Sequence, residues 1–144
     1  MGYTHYWQMD APLGQVDEGN PWTQLLGAAK DLIEESGIPI GNGWGEHASM
    51  DELVNDSRIW INGIGDNGHE TFLLSGEDPE WIFCKTAAKP YDAVVGAILL
   101  RAIHLFPMHI KVTSDGGPAD WEECVTLYTH VFSDKPDLSF LGGP

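Results

Sequence analysis

The chemistry-bearing residues of this chain crowd into one short run, Lys85-Thr86-Ala87-Ala88-Lys89-Pro90-Tyr91-Asp92. Proline favours the first position of a helix, because its missing N–H would be unpaired there anyway. Pro90 therefore predicts a helix start, with Lys89 in the N-cap position. Lysine cannot cap, and its charge at the positive end of the helix dipole costs roughly 0.3–1 kcal/mol. Lys85 lies four residues earlier, so two of the seven basic residues gather where backbone N–H groups already point outward. Thr86 and Tyr91 add hydroxyls, and the set suits a phosphate or carboxylate. The plainer alternatives are that each lysine pairs with a nearby acid, or that Thr86 caps an extra turn over Ala87 to Lys89. Asp92, two residues into the helix, reads first as a favourable charge on the dipole, as does Asp120 after Pro118.

A second cluster, Ser114-Asp115-Gly116, also follows a predicted strand and precedes a predicted helix. If the two strands are parallel neighbours, both loops share one sheet edge, where ligands of α/β proteins bind. Asp115 is then placed to hold a ligand hydroxyl or act as a base. Taken alone, Ser114 and Asp115 read as ordinary turn residues before Gly116-Gly117. The ligand-binding set is thus Lys85, Thr86, Lys89, Tyr91, Asp92, Ser114 and Asp115.

Other residues carry less. His5, His47, His69, His104, His109 and His130 show no metal-ligand spacing, so no metal is expected, and no pattern names a cofactor. His104, on an apolar helix, reads as a partnered core histidine. Cys84 and Cys124 read as free, buried, inert thiols. Asn62 and Glu70 face each other across a hairpin and read as solvated. Gly41 to Gly45 reads as a flexible loop with Trp44 exposed and no phosphate-loop pattern. No catalytic residue is assigned, because no nucleophile–base pair is legible.

These residues need elements to position them. Tyr3–Gln8 reads as an aromatic-rich strand. Asn20-Pro21 opens a helix with Trp22, Leu25, Leu26, Ala29, Leu32 and Ile33 on one face, stopped by Gly37. Ser57–Asn62 and His69–Leu74 form a hairpin about a glycine-rich turn, and Trp81–Lys85 a further strand. Pro90–Leu105 is a helix apolar nearly all round, hence buried centrally, and Pro107 ends it. His109–Ser114 is a strand, and Pro118 opens a helix with Trp121, Cys124, Val125, Tyr128, Val131 and Phe132 on one stripe. The order β-α-β-β-β-α-β-α predicts an α+β fold, a single mixed sheet of about five strands with three helices packed on it.

A chain of 144 residues, 42% hydrophobic with six Trp, can bury a core without disulfides or metal. It reads as one α+β domain over 1–144, with 133–144 a loosely held tail. Neither a leader nor a membrane span is evident, and cytoplasmic location is expected. The net charge of −15 repels phosphate backbones, so nucleic acid is not an expected partner. The 22 acids are scattered, as on a solvated surface, although an acidic interaction module or nucleic-acid mimic would share that charge.

Met1-Gly2-Tyr3-Thr4-His5-Tyr6-Trp7, Trp60-Ile61-Asn62-Gly63, Glu70-Thr71-Phe72, Phe83 to Asp92 and Ser114-Asp115-Gly116 together resemble a family of small uncharacterised proteins of bacteriophages and bacteria. The resemblance spans most of the chain. It implies a phage or prophage origin, hence the host cytoplasm, and carries over no site residues. The expected function is binding of a small anionic, phosphorylated or nucleotide-like ligand, with action on a host protein as the alternative.

Overall fold

In the computed structural model, residues 4–16, 19–79 and 83–141 are described. The fold is α+β, with the strands divided between two antiparallel sheets in place of the expected single mixed one. Strand β1 (Thr4–Met9) is the middle of a three-stranded sheet, flanked by β6 (Phe83–Lys85) and β7 (Ile110–Ser114). It runs antiparallel to both, so β6 and β7 run parallel to each other without touching. The register sets Thr4 opposite Lys85 and His5 opposite both Cys84 and Ser114. The second sheet has four strands: β2 (Ile40–Gly41), β3 (Val54–Asn55), β4 (Arg58–Gly63) and β5 (Phe72–Ser75), all paired to β4. Two of these are only two residues long and carry no strand signal in the sequence.

Alternation in β1 explains its central place. His5 and Trp7 are buried while Tyr6 and Gln8 are exposed, the period of two that gives a sheet one core face and one wet face. Trp7 meets Phe72 of the second sheet at 5.2 Å between ring centroids, so the two inner faces share one core. Helix α1 (Pro21–Ser36) begins at its proline and ends at Gly37, whose φ of +68° is the left-handed stop that glycine supplies without steric cost. Leu25, Leu32 and Ala29 on its inner stripe are fully buried.

The second long helix, α3 (Asp92–Leu105), is buried almost all round and packs against α1, against β7 and against α4 (Glu122–Phe132). It starts two residues later than Pro90 predicts. Ala87 and Ala88 both take left-handed φ values (+54° and +56°), Lys89 N–H closes a turn on the Thr86 carbonyl, and Tyr91 takes the N-cap. Lys89 is therefore outside the helix. A 3-10 turn (Pro118–Trp121) leads into α4, with the Asp120 carboxylate accepting Gly117 N–H as an N-terminal acid should. A four-residue helix, α2 (Met50–Leu53), was not foreseen. Among the described residues after α4, Phe140 packs on Trp121 at 5.2 Å, within a 3-10 turn (Ser139–Leu141) against β7. Among the described residues no helix is long and apolar enough to cross a membrane.

Candidate functional site

Where β1 begins and β6 and β7 end, polar side chains that are distant in sequence meet under the sheet. His5, fully buried, places Nε2 2.6 Å from Asp92 Oδ1 and Nδ1 2.8 Å from Ser114 Oγ. Thr86, also fully buried, donates to the same Asp92 oxygen at 2.7 Å. Ser114 Oγ accepts Gly116 N–H at 3.0 Å and Trp121 Nε1–H at 3.3 Å, so its own proton goes to His5 Nδ1. That fixes the tautomer: Nε2–H donates to Asp92, and the direction of every bond in Ser114–His5–Asp92–Thr86 follows. The Trp121 ring closes over the imidazole at 4.6 Å, and Cys124 Sγ lies 3.4 Å from the Asp92 carbonyl.

Serine, histidine and carboxylate in this order are the components of acyl-transfer catalysis. The geometry makes them a clamp instead. Both lone pairs of Ser114 Oγ are engaged, leaving none to attack a carbonyl. The imidazole has no exposed surface, so no leaving group reaches Nδ1 to take up a proton. What the network does is join five elements, β1, the ends of β6 and β7, and the starts of α3 and α4, around one buried carboxylate.

Asp92 is thus the first residue of α3, but its side chain is turned to His5 and Thr86 rather than to capping. Thr86, Asp92 and Ser114 come together at one sheet edge, although β6 and β7 are not the parallel neighbours expected: β1 lies between the two loops. Tyr91, fully buried, donates its hydroxyl to the Glu70 carbonyl at 2.6 Å. The Glu70 side chain is exposed, as read from the sequence, and its carboxylate accepts Lys85 N–H at 2.7 Å. Asn62, read as solvated with it, is instead buried, bonded to the Gly43 and His69 carbonyls and to the N–H groups of Gly63 and His69. His104 is exposed; the core histidine is His5.

Lys85, Tyr6 and Asp115 lie on the opposite, solvent-facing side of the three-stranded sheet. Lys85 is exposed, Lys89 half-buried, and among the described residues neither lies within ion-pair distance of a carboxylate. Asp115 N–H bonds the Thr4 carbonyl at 3.0 Å, and the Tyr6 hydroxyl donates to Asp115 Oδ2 at 3.3 Å. Beside them Phe83 of β6 and Lys111 of β7 also face outward. A hollow of about 360 Å³ is lined by Tyr6, Gln8, Phe83, Lys111 and Thr113. It continues past Gln8 and Lys111 into a second of about 430 Å³, reaching Met108 and the His109–Asp10 pair (2.9 Å). Two aromatic rings and two ammonium groups therefore share one open face, and Lys111 was not foreseen there.

Burial raises the Cys84 thiol from its ordinary 9.0 to about 12, with smaller upward pushes from the Glu70 and Asp92 charges. Cys124 is held well above its usual range by burial, then by Asp92. Both are inert thiols, as read from the sequence. Among the described residues no group of three or more His, Cys, Asp or Glu side chains is placed to hold a metal ion. No protein-family model, curated protein or solved structure matches the chain.

His5 was the residue missed. It was weighed as a metal ligand and set aside, yet the alternation Thr4-His5-Tyr6-Trp7 already places it on the Trp7 side of the strand. An inward polar side chain must find partners, and that was the available signal.

Proposed function

We propose that the protein binds a small anionic ligand, nucleotide-like in carrying a flat ring and a phosphate or carboxylate, on the open face of the three-stranded sheet. The observation that carries this reading is the company Tyr6 and Phe83 keep. Both rings are nearly half exposed, at 41% and 48%, and are direct cross-strand neighbours. Lys111 lines the same hollow and Lys85 lies two residues beyond Phe83 on the same face of the strand, in a chain with seven cations against 22 acids.

Ring stacking contributes about 1–3 kcal/mol per base, and an exposed ammonium–anion contact up to about 1 kcal/mol. One full stack with one or both ammonium contacts sums to about 4–5 kcal/mol, which supports dissociation constants of roughly 0.2–1 mM for a mononucleotide. Of the residues nominated from the sequence, Lys85 serves the anion and Asp115 steadies Tyr6. Thr86, Asp92 and Ser114 form the clamp beneath, Tyr91 is tied to Glu70, and Lys89 lies beyond the hollow's lining.

Isothermal titration with AMP and GMP tests this, with inorganic phosphate as the control. Saturable binding that weakens at least fivefold in both Lys111→Ala and Tyr6→Ala is expected. Binding unchanged in both variants, or none at 10 mM nucleotide (about tenfold above the weak end of that range), overturns it.

A further inference from the structure

The outer face of the second sheet carries another aromatic and cationic group, built independently of the first. The Arg58 guanidinium lies over the Trp60 ring, 4.4 Å from its centroid. Trp44 stands on the same ring at 5.0 Å and 81°, with 76% of its surface exposed. Among the described residues no carboxylate lies within ion-pair distance of Arg58, so its fork of donors is presented and unspent.

The loop that carries Trp44, read from its glycines as flexible, is tied by a set of hydrogen bonds. The Asn42 side chain, buried, accepts the N–H groups of Trp44 (2.9 Å) and Glu46 (3.1 Å) and donates to Glu52 at 2.8 Å. The Gly43 carbonyl accepts Thr71 Oγ1 at 2.5 Å and Asn62 Nδ2 at 3.3 Å. Gly43 itself has to be glycine, since a Cβ there would stand 1.9 Å from Trp60 Nε1. A large apolar ring is thus held out in water on a mount whose order is already established, which removes most of the entropy cost of engaging it.

We infer that Trp44, Trp60 and Arg58 form a second site, for a sugar ring bearing one carboxylate, of the uronic acid type. The apolar C–H face of the pyranose covers the Trp44 indole, and the carboxylate takes the Arg58 fork in the bidentate manner that geometry favours. Charge selects this occupant over a nucleotide. Glu46, exposed two residues from Trp44, accepts from hydroxyls but repels a phosphate dianion more strongly than a single carboxylate. A singly charged ring rich in O–H donors meets both conditions.

Trp fluorescence with galacturonate as the probe tests the assignment, alongside glucose (ring without charge) and acetate (charge without ring). The expected result is saturable quenching by galacturonate at least tenfold tighter than by either control. Arg58→Gln and Trp44→Ala each abolish that advantage, with thermal midpoints unchanged, and Trp44→Phe retains part of it. Equal response to glucose, tighter binding of AMP, no response to galacturonate, or full binding by Arg58→Gln overturns it. Tyr6→Ala leaves this titration unaltered, so its outcome is separable from that of the nucleotide experiment.

Discussion

Replacing His5 by Phe removes both ring nitrogens while keeping a flat side chain against Trp121. The change strands a carboxylate that is only 6% exposed, together with a Ser114 hydroxyl that has lost its acceptor. Losing the imidazole's hydrogen bond to the Asp92 carboxylate costs about 1.5–3 kcal/mol, and leaving the buried Ser114 hydroxyl unsatisfied costs about 1–3 kcal/mol more. The extra apolar burial of Phe offsets about 1–2 kcal/mol of this. A net loss of about 2–4 kcal/mol is a large share of the 5–15 kcal/mol typical of a domain. At 144 residues it lowers the thermal midpoint by about 7–14 °C. Urea unfolding followed by Trp fluorescence measures it directly. The double variant His5→Phe/Asp92→Leu recovers part of the loss, because the buried carboxylate is gone while the Ser114 and Thr86 hydroxyls still lack their acceptors. A single variant within about 0.5 kcal/mol of the parent, or a double variant no better than the single, refutes the clamp; 0.5 kcal/mol is the scatter of an ordinary surface change.

Two further outcomes follow from the backbone and the thiols. Ala88→Gly stabilises the protein by up to about 1 kcal/mol. Relief of about 1–2 kcal/mol of left-handed strain exceeds the 0.5–1 kcal/mol that glycine's chain freedom usually costs; a lower urea midpoint contradicts this. Cys84 stays protonated in the native state up to about pH 12, whereas in the unfolded chain it ionises near its ordinary 9.0. Its contribution is therefore intact below pH 9 and is lost between pH 9 and 12, at about 1.4 kcal/mol per pH unit. Cys84→Ser should flatten that alkaline slope, and native protein at pH 8 should react with a thiol reagent only at its unfolding rate.

The parts legible in the sequence were those with local causes. Pro21 and Gly37 bound α1 because their backbone preferences act within one turn, and the all-apolar stretch of α3 announced its burial. The start of α3 was misplaced by two residues because Ala87 and Ala88 adopt a conformation that alanine rarely takes on its own. That turn is held by Thr86, whose partner lies beyond it at Asp92. The two-residue strands β2 and β3 exist only because β4 offers them an edge. The clamp itself was half visible: Thr86, Asp92 and Ser114 were singled out by position. The residue that joins them lies 87 and 109 places away from its partners, a separation no local pattern encodes. Lys85 was picked for a helix terminus and instead projects from a strand face, which period-two alternation from Cys84 would have indicated.

The strand made first is also the strand in the middle, and this orders events during synthesis. When β1 leaves the ribosome neither flank exists; one arrives some 80 residues later and the other only with Ser114. Until then an aromatic ribbon with two bare edges waits on contacts of the longest range in the molecule, the kind that close slowly and invite misassembly. α1 can draw in its own hydrophobic stripe meanwhile, but the histidine has nothing to hold until Asp92 is made, and its second partner comes only with Ser114.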